Sequence, residues 1–414
     1  MKTYDLSNVK LFDPAILSHP HAFYRQVLDE APVLAFANSD VFLVASHDLV
    51  SEACGRPEDF SNDITSLIAG VRSESPEIKV VLDCGWPQED VLLMSDPPAH
   101  TRFRKIVNQA FSLPRVDAIE HKIRRIASRL IDDMAATAAC DFHAAFAVPL
   151  PVAMIAGELG LPPEDTAKVK RWSTAFIDRL GGMISAEREL QCAREVVDFQ
   201  HAMKAQIDIR LKIPGDDLLS DLVNATVEGE APLTIGELMS IIQQILVAGN
   251  ESTTNTLSLG LLTLLRSPRA TARLRADRSL IRGAVEEILR ITSAVAGSWR
   301  IVARDTELGG VRLPKGAKLM LRNASADLDP AVFADPEAFT PERANARTHL
   351  AFGRGIHTCI GNLLARRELA VAFEMLLDRF ETIELDIDPA DIVFAPNVLL
   401  RGPSAVPIRY RVKP

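Results

Sequence analysis

The chain's most reactive pattern is Ala-Phe-Gly-Arg-Gly-Ile-His-Thr-Cys-Ile-Gly at 351–361, followed by apolar residues at helical spacing: Leu369, Phe373, Leu376, Leu377 and Phe380. This places Cys359 where a glycine-bounded loop meets a helix start. A helix N-terminus lends positive potential and N–H donors, and both favour thiolate over thiol. Gly353, Gly355 and Gly361 let the backbone approach something bulky without a Cβ in the way. Such a thiolate could be a nucleophile, a zinc ligand or the axial ligand of a haem. Zinc is disfavoured, because no second cysteine lies at ligand spacing and His357 stands alone there. A nucleophile needs a positioned base, and the sequence names none.

A second constellation lies in the longest helical pattern, Thr234 to Arg266. Thr234 with Glu237 forms a capping box, and Ser267-Pro268 ends the run. Its centre, Leu246-Val247-Ala248-Gly249-Asn250-Glu251-Ser252-Thr253, inserts Gly, Asn, Glu and hydroxyls into an apolar stretch. Glycine weakens a helix, and hydroxyls can bond back four residues and open its ladder. A carboxylate in apolar surroundings needs a partner or a task. Two further pairs share helix faces: His100 with Arg104, and Glu287 with Arg290. Taken alone, the first reads as a solvated face and the second as a surface ion pair worth under about 1 kcal/mol.

The elements that must position these groups are mostly helical, from 115 to 230 and again around 234–266. Val33–Ala37 and Val41–Ala45 read as strands joined by Asn38-Ser39-Asp40, and Trp299–Asp305, Lys318–Leu321, Leu399–Arg401 and Val406–Tyr410 as others. Residues 61–98, with Gly70, Trp86 and Val91-Leu92-Leu93-Met94, are too long and mixed for a simple connector and read as a lid or binding loop. Trp172, Phe176, Leu180 and Met183 form an apolar stripe, either core or substrate entrance. No repeat or clean boundary interrupts the 414 residues, so one domain is expected. A net charge of -9 without a basic block argues against nucleic acid. Five scattered cysteines fit a reducing cytoplasm, and the first residues carry neither a signal peptide nor a membrane anchor.

Phe352-Gly353-x-Gly355-x-His357-x-Cys359-x-Gly361 resembles the haem-ligand loop of the cytochrome P-450 family. Four more motifs follow that family's order between about Leu11 and Tyr410. Asp96-Pro97-Pro98-x-His100-x-x-x-Arg104 resembles its propionate-binding helix, and Ala248-Gly249-x-Glu251-Ser252 its distal acid–alcohol pair. Glu287-x-x-Arg290 with Phe339-Thr340-Pro341-Glu342-Arg343 is similar to its structural Glu-Arg-Arg triad, and Arg300 matches its strand arginine. The alcohol is Ser252 where the family usually has Thr. Serine lacks the stiffness of a β-branched χ1, and Thr253 points about 100° around the helix, so coupling to product is where this chain departs.

The resemblance implies a mainly α fold with small β-sheets, a helical haem-enclosing part and a β-rich part from about 30–60, 295–325 and 395–412. It implies haem b held by Cys359 and contacted by His100, Arg104, Arg300, Phe352, Gly353, His357, Gly361, Ala248 and Gly249. It implies O2 as co-substrate, with protons delivered through Glu251 and Ser252. Membrane-bound relatives carry an anchor that this chain lacks, so a soluble bacterial-type monooxygenase is expected. No flavin or iron–sulfur module is fused to it. Electrons from NAD(P)H would come through a ferredoxin reductase and ferredoxin, docked on Arg102, Lys105, Arg115, Arg354, Arg366 and Arg367. The pocket candidates Trp86, Leu92, Leu93, Ile245, Ala248, Val295, Ala296 and Val398, beside Asn397, are mostly apolar and suit an uncharged hydrophobic small molecule. A peroxide-using peroxygenase of the same fold and a non-catalytic haem binder are the rival expectations. The acid–alcohol pair speaks against both.

Overall fold

The computed structural model describes residues 3–10, 13–65, 67, 75–181, 184–394 and 396–413. Helices dominate, with three small sheets among the described residues. Two compact units are each assembled from separated stretches. The first comprises Met1–Asn62, Glu120–Val148 and Ser252–Pro414, the second Asp63–Ile119 and Pro149–Glu251.

The first unit holds the strands: β1 (Val33–Ala35), β2 (Val41–Val44), β3 (Phe60–Ser61), β4 (Ala139–Asp141), β5 (Ser298–Val302), β6 (Thr306–Leu308), β7 (Val311–Leu313), β8 (Lys318–Leu321), β9 (Phe380–Leu385) and β10 (Pro407–Val412). β1 and β2 pair antiparallel with Val33 opposite Val44, across a turn where Asn38 takes the positive φ that asparagine tolerates. The largest sheet runs β1-β2-β8-β5-β3, with β2 and β8 parallel. Strand alternation feeds two cores. Val44, Leu319 and Leu321 join one apolar cluster, while Leu43 and Met320 join another around Phe23, Tyr24 and Val27. A second sheet, β4-β10-β9, and the β6–β7 hairpin complete the set.

Eight helices matter for the site: α1 (His47–Cys54), α2 (Ala99–Val107), α3 (Leu113–Ala135), α4 (Thr166–Gly181), α5 (Ala186–Lys212), α6 (Ile235–Arg266), α7 (Ile281–Thr292) and α8 (Asn362–Arg379). The capping box on α6 is formed in both directions. The Thr234 N–H donates to Glu237 Oε2 (2.8 Å) and the Glu237 N–H to Thr234 Oγ1 (3.1 Å). Thr256 Oγ1 does bond back to the Ser252 carbonyl (2.8 Å), yet α6 stays helical throughout instead of opening there. In the first unit α6, α7 and α8 converge at Gly260. A Cβ there would meet Phe373 Cζ at 2.5 Å and Ile288 Cγ2 at 3.0 Å.

Some expectations need correcting. Leu399–Arg401 is no strand but a single bridge, Leu400 to Val295, and Pro403, beyond Gly402, bridges Phe394 instead. β4 and β9 lie outside the expected β-rich stretches. Trp172 and Phe176 are core, packed edge-on against Phe199 at 5.6 and 5.2 Å. Gly70, Leu11 and Met183 lie outside the described residues, as does the side chain of Leu180. Among the described residues no helix is long and apolar enough to cross a membrane.

Candidate functional site

In the first unit, the loop before α8 is held by its main chain. The Cys359 N–H donates to the Phe352 carbonyl (2.8 Å), and Asn362 Nδ2 donates to the Cys359 carbonyl (2.7 Å). Gly353 and Gly355 take positive φ, and a Cβ on Gly355 would run into the Cys54 carbonyl. His357 closes a short 3-10 turn, and Gly361 caps α8, which starts three residues beyond Cys359. The thiol therefore sits near a helix N-terminus, as the spacing predicts. Among the described residues no cysteine is bridged.

Behind the loop, Arg366 lies 4.5 Å over the Phe352 ring and donates to Glu286 of α7 at 2.8 and 3.2 Å. His349 reaches the same carboxylate at 3.1 Å. Burial alone would raise the Glu286 pKa, but hydrogen bonds from His349 and Arg366 hold it at about 2. No motif signals this cluster, because its members are up to 80 residues apart. Arg300 on β5 is buried and donates to the Trp299 carbonyl (2.7 Å) and Ser298 Oγ (3.1 Å). Burial pushes the neighbouring Cys54 thiol up in pKa, while Arg300 pulls it the other way.

Glu287 and Arg290 are not on the surface: both side chains are 0% exposed. Arg290 donates to Glu287 at 2.6 and 3.0 Å, and Arg343 to the same carboxylate at 3.0 Å. Arg290 also reaches the carbonyls of Asp327 and Pro336 at 2.8 and 2.7 Å. Further along α8, Glu368 is buried, and desolvation raises its pKa to about 8. A carboxyl near 4.5 when unfolded must therefore take up a proton on folding at neutral pH. Glu368→Gln removes that penalty, so we expect it to add roughly 3 kcal/mol of stability at pH 7. The gain should vanish below about pH 4.5, where both states are protonated, and denaturant melts at pH 4 and 7 check it. Equal midpoint shifts at the two pH values would refute the reading.

The remaining first-unit candidates flank this core. Val295 bridges Leu400, the Ala296 N–H donates to the Leu399 carbonyl (2.7 Å), and Val398 packs on the Tyr24 cluster. Of the hydroxyls after Glu251, Ser252 is half-buried and Thr253 buried.

In the second unit, His100 and Arg104 share a face of α2, as their spacing predicts. His100 is buried, and burial together with Arg104 lowers its pKa against the pull of Asp96. On α6, Ile245 and Asn250 are buried, yet Ala248 and Gly249 between them are exposed, and a Cβ on Gly249 would meet nothing within 4 Å. Glu251 is ion-paired to Lys170 of α4. This partner supplies what the carboxylate needed, and 81 residues of separation hid it from sequence reasoning. Trp86 lies edge-on to the exposed His201 at 5.5 Å; Leu92 is buried, whereas Leu93 is exposed.

The six cations grouped as a docking face differ in character. Arg115 is only 13% exposed and holds Glu158, Asp216 and Asp221 within the second unit. Arg102 is bound to Glu237, Lys105 to Glu230, Arg366 to Glu286 and Arg367 to Glu120. Arg354 is exposed on the cysteine loop with no carboxylate partner among the described residues. Arg115 is thus placed as an internal ion-pair hub, which a surface role would require it to leave.

The chain is similar to known proteins over most of its length. The family model described as Cytochrome P450 matches residues 188–406. The 6-deoxyerythronolide B hydroxylase of Saccharopolyspora erythraea is 35% identical over 395 residues, covering 93% of this chain and 95% of that protein. The steroid C26-monooxygenase of Mycobacterium tuberculosis is 35% identical over 393 residues, covering 95% and 94%. The crystal structure of CYP109E1 from Bacillus megaterium in complex with corticosterone superposes with a TM-score of 0.81 at 30% identity, covering 94% of this chain and 98% of that one.

Proposed function

Since the chain belongs to the cytochrome P450 family and is an oxygen-incorporating monooxygenase, we propose that it hydroxylates an uncharged, hydrophobic, polycyclic molecule, using haem b and electrons from a separate ferredoxin and ferredoxin reductase. The observation that carries this reading is Cys359, held by main-chain bonds beside the start of α8. The residues fit a haem. Within the first unit a thiol donor and the buried Arg300 suit an iron and a propionate; within the second, the His100–Arg104 face suits a propionate and the exposed Ala248–Gly249 turn offers backbone to a flat ring. His357, Phe352, Gly353 and Gly361 would line the thiolate side. When bound, the thiolate-ligated iron supplies dioxygen activation.

The chain's own work is to position substrate, exclude water and move protons. Glu251 takes up and releases the proton at its carboxylate while Lys170 fixes the carboxylate's position, and Ser252 Oγ passes protons onward. Glu251→Gln should lower turnover roughly 100-fold, the lower end for a lost general acid, with the visible spectrum and ligand affinity unchanged. Unchanged turnover would remove Glu251 from the relay. Ser252→Thr should raise product formed per NAD(P)H consumed, by stiffening χ1.

Support for the substrate class is twofold. Ile245, Ala248, Leu92, Leu93, Trp86, Val295, Ala296 and Val398 bring no cation to bind a carboxylate. Two of the similar proteins act on or bind steroids by their names. The deciding experiment is the ferric visible spectrum titrated with steroids, macrolides, terpenoids, aromatics and fatty acids. A spin-state shift with steroids or polycyclic terpenoids alone supports the reading; a shift only with macrolides, single-ring aromatics or fatty acids overturns it. For the electron donor, Arg354 and Lys105 are the docking cations that remain exposed. First-electron transfer insensitive to salt and to Arg354→Glu would count against a ferredoxin docked by charge.

A further inference from the structure

The residues that lead into the cysteine loop, His349 to Phe352, are pinned peptide by peptide, and every partner belongs to the first unit. The Leu350 N–H donates to the buried Asp327 Oδ1 (2.6 Å), and the Ala351 N–H to His349 Nδ1 (3.2 Å). The Gly353 N–H returns to the Leu350 carbonyl (2.8 Å), and the Phe352 carbonyl takes the Cys359 N–H (2.8 Å). The Phe352 ring lies 5.7 Å from the His349 ring, centroid to centroid, and 4.5 Å below the Arg366 guanidinium.

The tautomer of His349 follows from its neighbours. A peptide N–H can only donate, so Nδ1 presents a lone pair to Ala351. The ring hydrogen is then on Nε2, which lies 3.1 Å from Glu286 Oε2 on α7 and donates to it. The other tautomer would set an N–H against the Ala351 N–H and a lone pair against a carboxylate. Glu286 therefore selects the state of the ring, and it is itself held by Arg366 Nε at 2.8 Å and by Arg347 at 3.4 Å. His349 is 6% and Glu286 4% exposed, so neither partner is readily replaced by water.

We propose that His349, with its tautomer chosen by Glu286, is a positioning residue for the Cys359 thiolate: by accepting the Ala351 N–H it fixes where the Phe352 carbonyl meets the Cys359 N–H, and so sets how strongly the sulfur donates to the group it binds. Groups that hold a ligand from behind orient it and tune the metal. The proposal rests on Cys359 as the iron's ligand only for what the sulfur does, not for the pin.

Two amide side chains divide the imidazole between them. Asparagine carries an oxygen where Nδ1 stands and keeps an acceptor for Ala351, whereas glutamine carries a nitrogen where Nε2 stands and keeps a donor for Glu286. Haem-loaded wild-type protein, His349→Asn and His349→Gln are compared by amide exchange at Ala351 and by the ferric-to-ferrous ratio at the wild-type midpoint potential. His349→Gln should speed Ala351 exchange roughly 10-fold, the worth of one hydrogen bond, and change the ratio roughly 5-fold. His349→Asn should keep both within about 2-fold, a rescue that a purely packing role would not give. Exchange and ratio must move together. A variant in which exchange quickens while the ratio stays, or the ratio moves while exchange stays, overturns the proposal. Unchanged exchange in both variants overturns it as well, because His349 then pins nothing. Should His349→Gln fail to fold, His349→Asn decides by the same rule. A thiolate spectrum that survives Cys359→Ser would instead strike the ligand reading, while Ala351 exchange would still report on the pin.

Discussion

Glu287→Ala is expected to yield little or no folded protein. The carboxylate is wholly buried and receives Arg290 twice, Arg343 once and the Thr340 N–H at 3.1 Å. Removing it leaves the Arg290 guanidinium inside the protein without a counter-charge. Arg290 cannot swing out to water, because it is bound to the carbonyls of Asp327 and Pro336 and lies 4.8 Å over the Phe333 ring. Breaking a buried pair from one side costs about 3–5 kcal/mol, against a total stability of roughly 5–15 kcal/mol. Soluble yield and urea midpoint are the measurements. Arg343→Lys should do less harm, since Arg343 is at the edge of the cluster and a lysine keeps the charge. A loss below about 1 kcal/mol for Glu287→Ala would put the pair in the class of surface ion pairs and refute this expectation.

Cys359→Ser should leave the fold intact and abolish oxygen insertion. The two bonds that hold this residue use its own N–H and carbonyl, so they survive the change of side chain. What is lost, on the proposed reading, is the thiolate ligand and with it the electron donation that favours O–O cleavage. We expect an unchanged thermal midpoint within about 2 °C, a visible spectrum without the thiolate signature, and turnover at background. Cys54→Ser, beside Gly355 and Arg300, should keep both spectrum and turnover, which separates the proposed ligand from a second thiol against the same loop. Retention of the thiolate spectrum in Cys359→Ser would show that another cysteine binds the iron.

Features that depend on residues close in the chain are legible in the amino-acid sequence. The Thr234–Glu237 box, the helix through His100 and Arg104, and the loop-to-helix junction at Cys359 each depend on spacings of a few residues, where helix and turn geometry leave few options. The Glu287–Arg290 spacing is equally visible, but its burial is not, because an i,i+3 pair looks the same on either face of a helix. Lys170 opposite Glu251, and the Glu286 cluster with His349 and Arg366, join elements tens of residues apart. No local pattern carries such pairings. The docking set is the least evenly legible, since Arg115 looks like any surface arginine until Glu158, Asp216 and Asp221 are found around it. β4 and β9 escape notice for the same reason, as both depend on pairing with β10.

Gly260 has an evolutionary consequence. At the point where α6 meets Phe373 and Ile288 the smallest residue is already in place, so any substitution there adds volume. Drift at this position cannot be neutral on its own. An alanine becomes acceptable only after Phe373 or Ile288 has been trimmed, and a chain that trims first must pass through a sequence with a cavity. The three positions are therefore coupled in order as well as in size. In a comparison of diverged relatives, a larger residue at the equivalent of Gly260 should be found with a smaller one at the equivalent of Phe373 or Ile288.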